Sequence, residues 1–380
     1  MSFAILQPPR ILFGRGTSAQ ALPLAQGFGP RGLVVHGASP ERAVAVLGGR
    51  IFDENPGLLA ISVAQEPTLA LLEAALARAR GHAPDWVLAI GGGSVLDMGK
   101  ALAALVPAPG GPMDHLEVAG PGLPLPAPPL PFVAVPTTAG TGSEVTKNAV
   151  IGLPGHGRPD HGRKVSLRDD RMMARIAIVD PALTDQCARA VTLASGLDAV
   201  TQVIEPYVSC KATPWTDAIT RPVLARGLAA LVRLMQGEEA GARDALAWTS
   251  LCGGLALANA GLGAVHGLAG VIGGRTGAAH GAICGALLGP VLAMNRRLAP
   301  GPRVEEVCGL IAGVLGGPAA EAPARLAAWA RAEGLPGLAN QGLRAADHRE
   351  VAEAALESSS MKGNPVQPAV EDLIAVLEAA

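Results

Sequence analysis

A short buried strand that runs directly into three glycines places the strongest constraint on this chain. DWVLAI (85–90) is apolar after its first residue, and GGGSVLDMGK (91–100) follows it without a gap. Glycines let backbone amides approach a ligand closely, and free N–H groups at the start of the following helix bind anions. Ser94 and Asp97 have the spacing of a helix-capping pair. The stretch predicts a site for the pyrophosphate of a nucleotide, with a plain strand-to-helix turn as the alternative.

A second polar loop, PTTAGTGSEVTKN (136–148), follows another predicted strand, PFVAV (131–135). Its hydroxyl groups belong to Thr137, Thr138, Thr141 and Ser143. Hydroxyls at the carboxyl ends of parallel strands suit phosphate and ribose, because open α/β sheets bind ligands at that edge. Two such loops favour a nucleotide site over two ordinary Ser/Thr/Gly loops.

Strand and helix patterns alternate up to about residue 184, and helical patterns follow. Predicted strands are 32–36, 58–63, 85–90, 131–135 and 174–180, with helices at 68–80 and after Ser39, a predicted N-cap. Repeated βα units indicate a parallel, doubly wound sheet. Later helical patterns are 186–209, 216–235, 242–260, 280–295, 304–315, 319–333, 347–358 and 370–380. We therefore predict an α/β domain, residues 1–184, and an all-helical domain, residues 185–380.

Composition excludes several classes of function. The formal net charge of -2 gives no basic surface for nucleic acid or anionic lipid. Five scattered cysteines without a CxxC pattern, and no signal-peptide pattern, predict a cytoplasmic protein with reduced thiols. Residues 245–274 carry no charge and are long enough for a membrane span. Their interspersed polar residues and glycines, without flanking basic clusters, favour buried helices instead.

Three side chains could bind a metal. Asp198 and Gln202 share one face of the helical stretch SGLDAVTQVIEPYVS (195–209), and a buried carboxylate needs a cation or several donors. His266 and His280 lie in a stretch (264–282) with a single charged residue. One Asp and two His suit zinc or ferrous iron and leave a position open for substrate. The alternative is a helix-packing acid and two core histidines.

Several motifs occur here in the order found in the iron-containing alcohol dehydrogenases, which the chain resembles over nearly its whole length. They are GGGSVLDMGKA, PTTAGTGSEVT, IVDPALT, SGLDAVTQVIEPYVS, VHGLAG with AAHGAICGALLGP, and SMKGNP. The resemblance implies a dehydroquinate synthase-like architecture, with a dinucleotide-binding α/β domain and a helical metal domain. It also implies NAD(P)-dependent interconversion of a small alcohol with an aldehyde or ketone, and a homodimer or larger homo-oligomer.

The resemblance also assigns residues. Its cofactor positions correspond to Gly92, Gly93, Ser94, Asp97, Thr137, Thr138, Thr141, Ser143 and Lys164. Asp198, His266 and His280 match three of its four ligands for Fe²⁺ or Zn²⁺ and would act in catalysis through the metal. Gln202 replaces the usual fourth ligand, a His, as a weaker neutral ligand or a holder of water. Gly270 replaces a frequent second His, which leaves the proton donor unassigned.

The sequence leaves two alternatives open, one for the cofactor and one for the reaction. NAD-preferring relatives carry an Asp after the first strand, where this chain has Gly37, so contacts from Ser39 and Arg42 to a 2′-phosphate slightly favour NADP(H). A metal-free enzyme like the maleylacetate reductases could use Arg275 for a substrate carboxylate, but those enzymes tend to lose the acid at position 198. The missing imidazoles at 202 and 270 would also fit an inactive dinucleotide-binding protein.

Overall fold

A computed structural model describes residues 2–49, 55–117, 119–153 and 162–380 of the chain. They form two compact units. The sheet unit comprises Leu6–Thr138 and Ser143–Thr184, and the helical unit comprises Asp185–Ala380, Ala139–Gly142 and the first residues through Ile5. The predicted domain limits place the last two segments in the α/β domain. Gly140 and Gly142 instead pack on helices of the helical unit, since a Cβ on them would lie 2.9 Å from Ser195 Cβ and 2.5 Å from Gly254 Cα, respectively.

Six parallel strands form the main sheet, in the order β1-β8-β5-β4-β2-β3. They are β1 (Arg10–Phe13), β2 (Gly32–Gly37), β3 (Leu58–Val63), β4 (Trp86–Gly91), β5 (Phe132–Pro136) and β8 (Ile176–Val179). Strands β6 (Asn148–Leu153) and β7 (Arg163–Arg168) form a separate antiparallel pair. Strands β1, β6 and β7 are not predicted by the sequence patterns; each is only partly buried, and β1 and β7 are not continuous apolar runs.

Both faces of the sheet are covered by helices: α1 (Ala21–Gln26), α2 (Glu41–Leu47), α3 (Leu69–His82) and α4 (Gly93–Leu105). Alternate side chains of β2 point to opposite faces. Leu33 and Val35 pack with residues of α3 and α4, whereas Val34 packs with residues of α1 and α2. The prediction of a doubly wound parallel sheet is confirmed.

Helix α2 begins one residue later than the sequence predicts. Pro40 is the N-cap, with φ -79° and ψ -12°, and its carbonyl accepts from Val44 N–H at 2.8 Å. No side chain caps this helix, and Ser39 is exposed. The prediction of Ser39 as N-cap is wrong, because the backbone already takes a helical conformation at the proline.

The helical unit is built from ten α-helices, all within fully described sequence. They are α5 (Arg189–Val208), α6 (Pro214–Thr220), α7 (Leu224–Gln236), α8 (Ala240–Ala260), α9 (Ala264–Thr276), α10 (His280–Leu298), α11 (Pro302–Leu315), α12 (Ala322–Ala332), α13 (His348–Leu356) and α14 (Val370–Ala379). The predicted helix 216–235 is divided between α6 and α7, because Pro222 lacks the N–H that would continue the first of them.

The uncharged stretch 245–274 forms parts of two helices rather than one. Helix α8 ends before Gly261, whose φ is +67°, and α9 lies at 98° to it. Within the described parts of the chain, no single helix is long and apolar enough to cross a membrane. Two bent pairs, α8 with α9 and residues 302–315 with 319–332, meet the test by length and composition alone. Most side chains of α8 and α9 are buried in the unit.

The packing of α4 on the sheet leads to a stability prediction. A Cβ on Gly99 would lie 2.7 Å from Ala89 Cβ and 2.9 Å from the Phe132 ring. We expect Gly99→Ala to lower the free energy of unfolding by about 1–3 kcal/mol through overpacking. The matched control is Gly81→Ala in α3, where a Cβ meets nothing within 4 Å. The control should gain about 0.5–1 kcal/mol in helix stability.

Urea unfolding monitored by tryptophan fluorescence measures both changes. Equal transition midpoints for the two variants would contradict the close helix-to-sheet contact at Gly99.

Candidate active site

Helix α5 places three polar side chains on one buried face. Asp198, Gln202 and Glu205 are separated by four and three residues, so they follow one another along the same side of the helix. All three are nearly inaccessible, with relative exposures of 1%, 2% and 4%. Buried carboxylates need hydrogen-bond donors or a positive charge, so this face defines where a cation is required.

Helices α9 and α10 bring the other donors to Asp198. His266 lies in the first turn of α9, His280 begins α10, and Cys284 follows one turn later. Asp198 Oδ1 lies 3.2 Å from His266 Nε2 and 4.0 Å from His280 Nε2. Cys284 Sγ lies 3.6 Å from His280 Nε2. One ligand atom of each of these four residues, which we call the donor cluster, lies within 4.8 Å of the others.

The spacing in the donor cluster fits a divalent metal. For Zn–N and Zn–O bonds of about 2.0–2.1 Å and a Zn–S bond of about 2.3 Å, tetrahedral ligand atoms lie about 3.3–3.6 Å apart. The measured separations of 3.2, 3.6 and 4.0 Å lie close to that range. Carboxylate, imidazole and thiolate are all established ligands for zinc. The donor set and its geometry therefore fit the metal that the sequence predicts.

The residues of the donor cluster favour each other's charged forms, with Asp198 and Cys284 as anions and the two histidines as cations. Burial opposes ionisation of Asp198, but its hydrogen bond with His266 and the nearby charge of His280 hold the pKa of Asp198 below its usual value. Burial also opposes the Cys284 thiolate, yet the charges of His280 and His266 lower the pKa of Cys284. Although burial disfavours the imidazolium, Cys284 and Glu205 raise the pKa of His266. A divalent cation would supply the same positive charge between these groups.

Glu205 fixes the orientation of His266. Its Oε2 lies 2.6 Å from His266 Nδ1, and its Oε1 accepts from the backbone N–H of Val265 at 2.7 Å. The carboxylate therefore holds the start of α9 and directs His266 Nε2 toward Asp198. The sequence prediction omitted Glu205, although its place seven residues after Asp198, on the same helix face, could have indicated it. It also omitted Cys284, four residues after His280.

Glycines bring α10 close to α5. A Cβ on Gly281 would collide with the carbonyl oxygen of Ala194, and one on Gly285 would lie 2.6 Å from Leu197 Cδ1. His280 and Cys284 immediately precede these two glycines in sequence. The close approach of the two helices therefore places both donors beside Asp198.

Gln202 lies beside the donor cluster, and its amide nitrogen already donates a hydrogen bond. Nε2 donates to the carbonyl of Gly140 at 3.1 Å, and a hydrogen bond from Gln202 helps to lower the pKa of Asp198. Oε1 is buried and accepts no hydrogen bond. Its predicted role as a metal ligand stays a prediction. At Gly270, a Cβ would meet nothing within 4 Å, so the position of the missing second imidazole is open space.

The glycine loop lies at the end of β4 beside the end of β5. Gly91 pairs with Pro136, and Thr137 N–H donates to Gly91 O at 3.0 Å. Helix α4 begins at Gly93, with Gly92 as an N-cap that makes no side-chain capping bond. The N–H groups of Gly93 and Ser94, at the start of this helix, point where an anion can bind, and Thr138 Oγ1 lies 3.3 Å from the place of a Cβ on Gly92.

Asp97 connects α4 to the second loop rather than capping the helix. Its Oδ1 accepts from Ser143 Oγ at 2.6 Å and its Oδ2 from Val150 N–H at 3.0 Å. The predicted Ser94–Asp97 capping pair is wrong, because both Asp97 oxygens are used in these longer-range bonds. Buried Lys100 donates to Ser143 O at 2.9 Å and so stabilises the same junction. The cofactor roles predicted for Asp97 and Ser143 stay predictions.

The remaining residues predicted to contact the cofactor lie on other elements of the chain. Lys164, on β7, forms an ion pair with Glu66. Arg42 donates from Nη1 to the carbonyls of Leu183 at 2.9 Å and Thr137 at 3.3 Å, so its head group already has partners. Thr141 belongs to the segment Ala139–Gly142 of the helical unit.

Comparison with known proteins gives the family. The profile described as "Iron-containing alcohol dehydrogenase" matches residues 8–181, and "Fe-containing alcohol dehydrogenase family, C-terminal" matches residues 192–380. Probable alcohol dehydrogenase EutG of Escherichia coli (strain K12) is 32% identical over 83% of this chain and 78% of its own length. 4-Hydroxybutyrate dehydrogenase of Cupriavidus necator is 30% identical over 92% of this chain and 90% of its own.

A solved structure agrees with these matches. The iron-containing alcohol dehydrogenase from Thermococcus thioreducens is 25% identical, with a TM-score of 0.84 over 100% of this chain and 99% of that one. The fold and the donor cluster thus define a metal-dependent dehydrogenase, and the chain belongs to the iron-containing alcohol dehydrogenase family. It is an oxidoreductase that interconverts an alcohol and an aldehyde or ketone, and the family uses NAD(P) and a metal such as iron.

The position of Glu205 generates a prediction about metal affinity. We expect Glu205→Gln to weaken Zn²⁺ binding by about 10–100-fold, because a carboxylate hydrogen-bonded to the far nitrogen of a histidine ligand orients the ring and increases its basicity. Competition with a chromophoric chelator measures the affinity. Glu306→Gln is the control, since Glu306 is a carboxylate that accepts from Tyr207 Oη at 2.5 Å, and Tyr207 and Glu306 are not in the donor cluster. Equal affinities for both folded variants would refute the role of Glu205.

Proposed function

We propose that this protein is an NAD(P)-dependent alcohol dehydrogenase in which Asp198, His266 and His280 hold the catalytic divalent metal. The observation that supports it best is the convergence of four donor atoms within 4.8 Å of one another, three of them on buried residues and the fourth on half-buried His280. When bound, such a metal acts as a Lewis acid that polarises the substrate oxygen and lowers the pKa of an alcohol. The reaction is hydride transfer between the substrate carbon and C4 of the nicotinamide.

The chain's own residues have distinct parts in this proposal. The N–H groups at Gly93 and Ser94, with Gly92 and Thr138, bind the cofactor pyrophosphate at the positive end of α4. Asp97, Ser143 and Thr137 hold the two loops in register. Glu205 orients His266, and the apolar helices around Asp198 exclude water from the metal. Lys164 and Thr141 also contact the cofactor in this proposal.

The substrate we propose is a small aliphatic alcohol or its aldehyde. Relatives of this chain are described as a 4-hydroxybutyrate dehydrogenase and, in Bacillus methanolicus, an NAD-dependent methanol dehydrogenase, 33% identical over 78% of this chain. A carboxylated substrate held by Arg275, as in the metal-free alternative, is less favoured. That guanidinium lies 2.7 Å from Glu350 and 3.8 Å from Asp347, so acids already neutralise it.

Metal removal tests the proposed reaction. Purified protein should contain a stoichiometric divalent metal by elemental analysis and should oxidise aliphatic alcohols with NAD(P)⁺. Treatment with a chelator should lower kcat/KM by about a hundredfold or more, because a Lewis acid contributes several kcal/mol to the transition state. Activity should return with Zn²⁺ or Fe²⁺.

Two results would contradict this proposal. Turnover that survives complete metal removal would support the metal-free reductase. Cofactor binding without turnover across a broad panel of alcohols and carbonyls would support the inactive dinucleotide-binding protein.

A substitution at Gly37, the last residue of β2, tests the cofactor preference. We propose NADP(H), because Gly37 leaves no carboxylate to repel a 2′-phosphate and exposed Ser39 follows it. A Cβ on Gly37 meets nothing within 4 Å, so Gly37→Asp fits without strain. We expect it to lower kcat/KM for NADPH by about tenfold or more and to leave NADH use intact, as one tenfold step is about 1.4 kcal/mol.

Gly37→Asn is the matched neutral control for this measurement. Wild-type protein that already prefers NADH, or equal loss with both cofactors in Gly37→Asp, would refute the preference.

A further inference from the structure

We propose that Cys284, rather than Gln202, is the fourth protein ligand of the metal, and that this thiolate makes the site select zinc over ferrous iron. The proposal rests on the metal-dependent function proposed above and assigns the ligand that completes it.

Geometry places Cys284 where a fourth ligand is needed. Cys284 Sγ lies 3.6 Å from His280 Nε2 and within 4.8 Å of the ligand atoms of Asp198 and His266. A tetrahedral zinc with one sulfur and one nitrogen ligand requires an S···N separation of about 3.5 Å. Gln202 Nε2 donates to the carbonyl of Gly140 at 3.1 Å, whereas its Oε1 is buried without a hydrogen-bond partner and is the competing ligand atom in the test below.

Charge is compatible with this assignment. Among the ligands themselves, Asp198 and a Cys284 thiolate balance a divalent cation, and both residues are almost inaccessible, at 1% and 0% exposed. Glu205, hydrogen-bonded to His266, adds a further negative charge, which the N-termini of α9 and α10 offset.

The chemical softness of sulfur then sets the choice of metal. Thiolates favour zinc, whereas sets of imidazole and carboxylate ligands also suit ferrous iron. Four protein ligands would fill a tetrahedral zinc site, so a substrate oxygen would have to enter as a fifth ligand, an expansion that catalytic zinc sites sometimes undergo.

Cobalt substitution tests the assignment without relying on activity. Wild-type protein loaded with Co²⁺ should show an intense near-ultraviolet sulfur-to-metal charge-transfer band, and zinc-loaded protein should show one sulfur neighbour at about 2.3 Å by X-ray absorption. Cys284→Ala should lose the band and the sulfur neighbour and bind Zn²⁺ at least about tenfold more weakly. Cys252→Ala, which removes another buried thiol, on α8, should keep both signals.

Gln202→Ala adds a second comparison and should keep the band. Cobalt-loaded wild type without the band, or Cys284→Ala with it, overturns the assignment. Failure to bind cobalt overturns the metal site itself and the assignment with it. A cobalt protein with the band but no turnover supports Cys284 as ligand and overturns only the proposed reaction.

Discussion

The helical unit is organised around two negative charges that it buries on one face of α5. Asp198 and Glu205 are almost fully inaccessible, and an unpaired buried charge destabilises a protein by about 3–5 kcal/mol. Each charge therefore determines what packs against it. Asp198 faces two imidazoles, and Glu205 accepts from one of those imidazoles and from the start of α9.

Small residues make this pairing possible. Gly263 precedes α9, and a Cβ there would lie 2.9 Å from both Glu205 Oε1 and Asn364 Oδ1. Asn364 accepts from Ala264 N–H at 3.1 Å, so two side chains from distant parts of the sequence bind the first turn of α9. Gly281 and Gly285 do the same for α10 by allowing contact with α5. The many glycines of this chain thus have a structural use where the acids are buried.

The sequence could predict the parts of this structure that follow from local patterns. Strands β2, β4 and β5 are apolar runs buried on both faces, and the glycine loop marks where β4 ends, so the parallel sheet was recognisable. The role of Asp97 at the start of α4 could not be recognised, because its carboxylate accepts hydrogen bonds from Ser143 and Val150, which lie 46 and 53 residues away in sequence. Glu205 and Cys284 were missed because spacing along one helix does not show which helices meet.

The direction of the helices completes the electrostatics of the donor cluster. His266 is the third residue of α9 and His280 the first residue of α10, so the positive ends of two helix dipoles lie at the cluster. The acidic groups there are Asp198, Glu205 and Cys284. The neighbouring imidazoles lower the pKa of the Cys284 thiol. Three negative groups exceed the charge of one divalent cation by one unit. Two helix N-termini, each equivalent to about half a positive charge, offset that excess and let anionic ligands be buried together.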